Sequence, residues 1–93
     1  MPNSIAGQIK QATAVTVTTA ATLIPTTALT GRRSTVIHNN GAVVVYLGNS
    51  SVTTADGLPI SPNEKFSLDL DANVLLYGIV VTGTCELRVL EGC

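Results

Sequence analysis

Apolar and polar residues alternate with a period of two along much of this 93-residue chain, with many β-branched residues among them, and no stretch shows the period of a helix. A chain with that pattern buries one side of each segment as β-strand. Seven candidate strands follow: Thr13 to Thr19, Ala21 to Ile24, Arg33 to Asn39, Ala42 to Gly48, Phe66 to Leu70, Leu75 to Val81 and Cys85 to Glu91. Short strands at this spacing argue for an all-β, single-domain β-sandwich or a small barrel. Pro25 ends the second strand because it has no N–H for a ladder. Asn39-Asn40-Gly41 and Thr82-Gly83 tolerate positive φ, so tight hairpins are expected at both. The expected core is Val15, Val17, Ile37, Val43, Val45, Leu47, Phe66, Leu68, Leu70, Tyr77, Ile79, Leu87 and Val89, with Cys85 beside them. Aromatic residues make up 3% of the chain, so this core is aliphatic.

Charged residues are only 12% of the sequence, about half the usual share. Such a surface suits a chain that covers itself with partner subunits. The net charge of −1 lacks the basic excess that would make a phosphate backbone the natural partner, so no nucleic acid is expected. No apolar run approaches the roughly 20 residues of a membrane span, and no membrane partner is expected. The N-terminus lacks the basic and apolar regions of a secretory signal, which points to synthesis in a cytoplasm. Cys85 lies inside a strand pattern and Cys93 at the C-terminus. A bridge between them would require the tail to fold straight back, so two free thiols are expected.

Residues 1–12 differ in kind from the β-domain at 13–93. They show little alternation and one charge, Lys10, and read either as an arm that orders on a neighbour or as a frayed terminus. A second distinctive segment is Asn49 to Asn63, a long connection rich in turn residues with Gly57-Leu58-Pro59 and Ser61-Pro62-Asn63. It presents a shaped, mostly uncharged surface between two strands.

Side chains that could do chemistry are scattered. His38 is the only histidine, no C-x-x-C or H-x-x-x-H spacing exists, and a G-x-S-x-G elbow is missing, so neither a metal centre, a cofactor nor an enzyme is expected. His38 is expected at a strand end, bonded to a turn carbonyl. Asp69 and Asp71 share a face in an extended segment, but Asp71-Ala72-Asn73 is turn chemistry and Asp69 a solvent position. Arg32-Arg33 either clamps an acidic patch on a partner through bidentate bonds or pairs internally with an acid such as Glu86. Adjacent strand residues point to opposite faces, so one is expected in each role.

Gly31-Arg32-Arg33, Ile37-His38-Asn39-Asn40-Gly41, Val45-Tyr46-Leu47-Gly48, Ser51-Val52-Thr53-Thr54, Gly57-Leu58-Pro59-Ile60, Phe66-Ser67-Leu68-Asp69-Leu70 and Leu87-Arg88-Val89-Leu90-Glu91 together give the chain a resemblance to small virion structural proteins of tailed bacteriophages, of the capsid cement or decoration type. The resemblance covers roughly residues 13 to 91. It implies a jelly-roll-like or β-sandwich module on the capsid exterior, commonly a homotrimer, that binds the major capsid protein and stabilises the shell. Under it, the candidate partner contacts are Ile5, Ile9 and Lys10 in the arm, Arg32 and Arg33, and Asp56, Leu58, Pro59 and Ile60 in the long connection. The competing expectation is a host-recognition, carbohydrate-binding module on a tail or capsid fibre. Sugar sites rely on aromatic platforms, and Tyr46, Phe66 and Tyr77 all fall in strand positions, which counts against it.

Overall fold

The computed structural model describes residues 8–11, 14–25 and 27–93. They form no helix, and their nine strands are β1 (Ile9–Gln11), β2 (Val15–Val17), β3 (Thr22–Ile24), β4 (Ser34–Asn39), β5 (Val45–Gly48), β6 (Leu58–Ile60), β7 (Lys65–Asp69), β8 (Leu76–Ile79) and β9 (Cys85–Gly92). All pairings are antiparallel, in two sheets. The first sheet runs β9-β4-β7, with β1 and β2 both paired to β9, and the second runs β3-β8-β5-β6. The pairs β2·β9, β3·β8, β4·β7 and β5·β6 are nested, closing at the β5–β6 connection. Lateral pairing of β9 with β4 and of β8 with β5 completes both sheets.

This wiring corrects the expected hairpins. β4 and β5 lie in different sheets, as do β8 and β9, so Asn39-Asn40-Gly41 and Thr82-Gly83 carry the chain from one sheet to the other. Turn-forming residues permit a reversal without choosing the partner, and pairing is decided by which apolar faces meet. Two of the nine strands were not anticipated. β6 occupies part of the long connection, and β1 lies in the expected arm, pairing Ile9 with Gly92 and Gln11 with Leu90 of its own chain.

One buried cluster joins the two sheets, formed by Val15, Val17, Ile37, Cys85, Leu87 and Val89 from the first and Ile24, Val45, Leu47, Ile60 and Val80 from the second. Val43 and Phe66 pack against it half-buried. Leu68 and Leu70 are half-buried too, since β7 is an edge strand. On β8 the expected phase is inverted: Gly78 and Val80 face inward, and Tyr77 and Ile79 do not. The reason is space. A Cβ on Gly78 would stand 2.7 Å from Ile24 Cδ1 and 3.1 Å from Val45 Cγ1, so only glycine allows β8 to approach the core this closely.

Both cysteines are free, Cys85 buried and Cys93 half-buried. At the end of β4, Asn39 is fully buried and joins the sheets. Its Nδ2 donates to the Val43 and Ile60 carbonyls, both at 2.9 Å, and its Oδ1 accepts from the Gly41 amide and the Cys85 thiol. His38 lies within β4 rather than at its end, and the turn bonding expected of it belongs to Asn39.

Candidate interaction face on the second sheet

Cross-strand register fixes which side chains share the outer face of the second sheet, because directly paired residues point the same way. One row is Pro59, Tyr46 and Ile79, and the next is Gly48, Tyr77 and Leu23. Leu75 and Val81 flank β8 at the same alternation and are 52% and 67% exposed. This face has no charged residue in either row. The outer face of the first sheet has the opposite character, presenting Glu86, Arg88, His38, Lys65 and Asp69.

Part of the second sheet's outer face is covered by the connection that follows β5. Val52 is buried yet lies outside the main core cluster. Its side chain sits where a Cβ on Gly48 would be, at 2.7 Å, and a Cβ on Gly57 would meet Tyr46 Cβ at 2.6 Å. The two glycines thus let this connection lie flat against the sheet. Amide groups of Val52 and Gly57 donate to the Asn49 and Thr53 carbonyls, closing two local turns.

Asp56 staples the same segment. Its carboxylate accepts from the Thr53 amide at 2.8 Å and the Thr53 hydroxyl at 3.0 Å. These bonds, the amide first, hold the Asp56 carboxyl below the usual carboxylate range. A depressed folded-state pKa means that the ionised form supports the structure, and that this support is lost as the pH falls through the lowered value. Acidification below about pH 4 should therefore lower the protection factor of the Thr53 amide, its exchange measured against the unprotected rate at the same pH, and Asp56→Asn should show the low protection already at neutral pH. Equal exchange in both proteins at pH 7 would contradict the staple.

The other expected contacts divide. Pro59 lies on the uncharged face and Leu58 is half-exposed at the neighbouring edge, whereas Ile60 points into the core at 3% exposure. Ile9 and Arg33 are exposed, and Lys10 Nζ donates to the Thr27 carbonyl. Ile5 lies outside the described residues. Arg32 requires a correction. It is 2% exposed and its Nη1 meets Glu91 Oε2 at 2.7 Å, so its guanidinium is used inside the chain and not on a partner. The expected acid was Glu86, which instead accepts from Arg88 and Asn40, and these bonds hold its carboxyl low. Asp71 Oδ1 accepts from the Asn73 amide, as its turn reading implies.

Sequence reasoning missed Tyr77, Ile79 and Leu23 as surface residues. The available signal was Gly78, which marks the inward phase of β8. Among the described residues no group of three or more His, Cys, Asp or Glu side chains comes together. No protein-family model, curated protein or solved structure matched the chain.

Proposed function

We propose that this chain is a non-catalytic capsid decoration protein of a tailed bacteriophage, assembled in the host cytoplasm and docked as a homotrimer on the shell exterior. The observation that carries the reading is the uncharged outer face built around Tyr46, Tyr77 and Ile79. Contiguous apolar patches of a few hundred Å² on a small soluble chain mark contact surfaces. From a strand spacing of about 4.8 Å and a rise of about 3.4 Å per residue, four strands give a footprint of at most roughly 400 Å², reduced where the β5–β6 connection lies over Gly48 and Tyr46. That is about half of one partner's share in a standard interface. A single contact of this size is weak, and multivalent docking of a trimer on a repetitive shell overcomes that weakness through effective concentration.

The nested strand pairs support a jelly-roll reading of the two sheets, the architecture of an eight-stranded roll with β1 added at one edge. Viral capsid domains and lectins both use that roll, and fold alone does not choose between them. The sequence resemblance favours the capsid.

Shell docking is tested by cosedimentation with assembled particles. Leu75→Glu combined with Val81→Glu places two charges on exposed positions, where the fold tolerates them, and should weaken binding at least tenfold because interfacial charges without partners must be desolvated. Undiminished cosedimentation would refute this face as the contact. Light scattering at tens of micromolar should give a trimer, since interfaces of modest affinity persist at that concentration. A monomer would count against trimerisation.

A second reading, glycan binding for host recognition, gains from one observation: Tyr46 and Tyr77 lie diagonally on neighbouring strands of the same face. Aromatic rings so placed can stack on a sugar. Glycan-array binding lost in Tyr77→Ala would favour it over decoration.

A further inference from the structure

Strand β7 ends the first sheet and, among the described residues, pairs with β4 alone. At five residues it is the longest open edge, since the other outermost strands, β1, β2, β3 and β6, have three each, and β6 contains Pro59. Two hydrogen bonds at the ends of the β4·β7 pairing fix its phase. The Asn39 amide donates to the Glu64 carbonyl, and the Leu70 amide to the Arg33 carbonyl. Bonded pairs alternate along an antiparallel ladder, so Phe66 and Leu68 turn their amides and carbonyls toward β4, while Lys65, Ser67 and Asp69 turn theirs outward. No strand among the described residues meets that outer side.

An open edge accepts another strand, and its side chains decide which one. Lys65, Ser67 and Asp69 are exposed, and neither charge makes an ion pair among the described residues. A second copy of β7 laid antiparallel, with a two-fold axis at Ser67, sets Lys65 opposite Asp69 of the second copy and Asp69 opposite its Lys65. Opposite charges so placed stabilise a strand pair. The same register sets Ser67 against Ser67, so every outward amide and carbonyl of both strands finds a partner. It also sets Phe66 beside Leu68 of the second copy, covering two half-buried apolar side chains on each edge. Other registers do worse. A shift of two residues draws residues beyond the strand into the pairing, and a shift of four sets Lys65 against Lys65 or Asp69 against Asp69.

We propose that two copies of this chain join edge to edge through β7, in the antiparallel register that pairs Lys65 with Asp69 of the second copy. A strand of unrelated sequence gains the backbone bonds without both charge pairs. The contact is isologous and small. A dissociation constant of roughly a few tenths of a millimolar leaves it mostly unmade at the tens of micromolar used to weigh the trimer. Directly paired residues point the same way, so the axis stands normal to the sheet and both copies turn the outer face of their second sheet to one side. Edge pairing is thus compatible with shell docking and does not require it.

The test is an NMR dilution series of the full chain from about 1 mM to about 0.05 mM, a range that brackets such an affinity. The expected result is concentration-dependent amide proton shifts at Lys65, Ser67 and Asp69 that exceed those at Phe66 and Leu68, whose amides already bond to β4. Lys65→Glu or Asp69→Lys alone sets like charges opposite each other at both ends and should weaken association at least about fivefold. The double variant Lys65→Glu with Asp69→Lys restores the pairing with its signs exchanged and should return to within about twofold of the original affinity. The substituted positions are exposed, and an unchanged dispersed spectrum at the lowest concentration verifies each fold. Three results would each overturn the proposal: no shifts at those three amides across the series; equal affinity in the single variants; or a double variant that associates as weakly as the single ones.

Discussion

Replacing Arg32 with methionine should destabilise the chain by about 3–5 kcal/mol in urea unfolding, because it leaves a buried carboxylate without its countercharge. Glu91 is fully buried and, besides Arg32, accepts among the described residues only from the Leu29 amide at 3.1 Å. The guanidinium does more than neutralise it. Nε donates to the Leu70 carbonyl at 3.1 Å, and Nη2 donates to the Asp71 and Val74 carbonyls at 3.0 and 2.8 Å. One side chain therefore ties the segment before β4 to the β7–β8 connection and to β9. Arg32→Lys should rescue little, since an ammonium on a flexible stem cannot reproduce the planar fork. The paired change Arg32→Met with Glu91→Leu should recover part of the loss, as removing both charges also removes the desolvation cost. A loss below about 1 kcal/mol for Arg32→Met, the range of an exposed pair, would show that the pair is solvated.

The second large effect is expected at Asn39. Asn39→Ala strips partners from the buried Ile60 carbonyl and the part-buried Gly41 amide, and leaves the Val43 carbonyl with the weak donor of the Cys85 thiol. Each orphaned group costs roughly 1–3 kcal/mol, and with partial relaxation the sum should be about 3 kcal/mol. Asn39→Asp discriminates between lost volume and lost donors. It keeps the size and the Oδ1 acceptor but turns the donor that faces two carbonyls into another acceptor, so it should be at least as damaging as alanine at neutral pH. A mild Asn39→Asp variant would refute the knot. Gly41 belongs to the same junction: a Cβ there would fall 2.3 Å from Cys85 Sγ, a distance that only rearrangement relieves.

Strand content was legible because period-two alternation reports a local property: β2, β4 and β5 fall inside the expected segments, and β7 and β9 overrun theirs by one residue. The pairing was not legible. Asn39-Asn40-Gly41 reads as a hairpin, and what makes it a crossover is the long-range knot through Ile60 and Cys85, which no local pattern encodes. β6 was hidden because Pro59 in a three-residue edge strand looks like loop chemistry. The inverted phase of β8 had the largest consequence. Leu76 to Ile79 is apolar on both sides, so alternation there cannot choose a face, and the choice of Tyr77 and Ile79 as core concealed the apolar outer face of the second sheet. Arg32 illustrates the remaining gap: the doublet was recognised, but which arginine turns inward depends on Glu91 at the far end of β9.

The central claim is that the uncharged outer face of the second sheet is an assembly surface. An electron-microscopy map of the particle that carries the chain tests it most directly. The account predicts density for three copies around a local three-fold position, with Tyr46, Tyr77 and Ile79 against the shell and the charged outer face of the first sheet turned away from it. A map that leaves the tyrosine face open to solvent, or that places the chain on the tail rather than the shell, would contradict it.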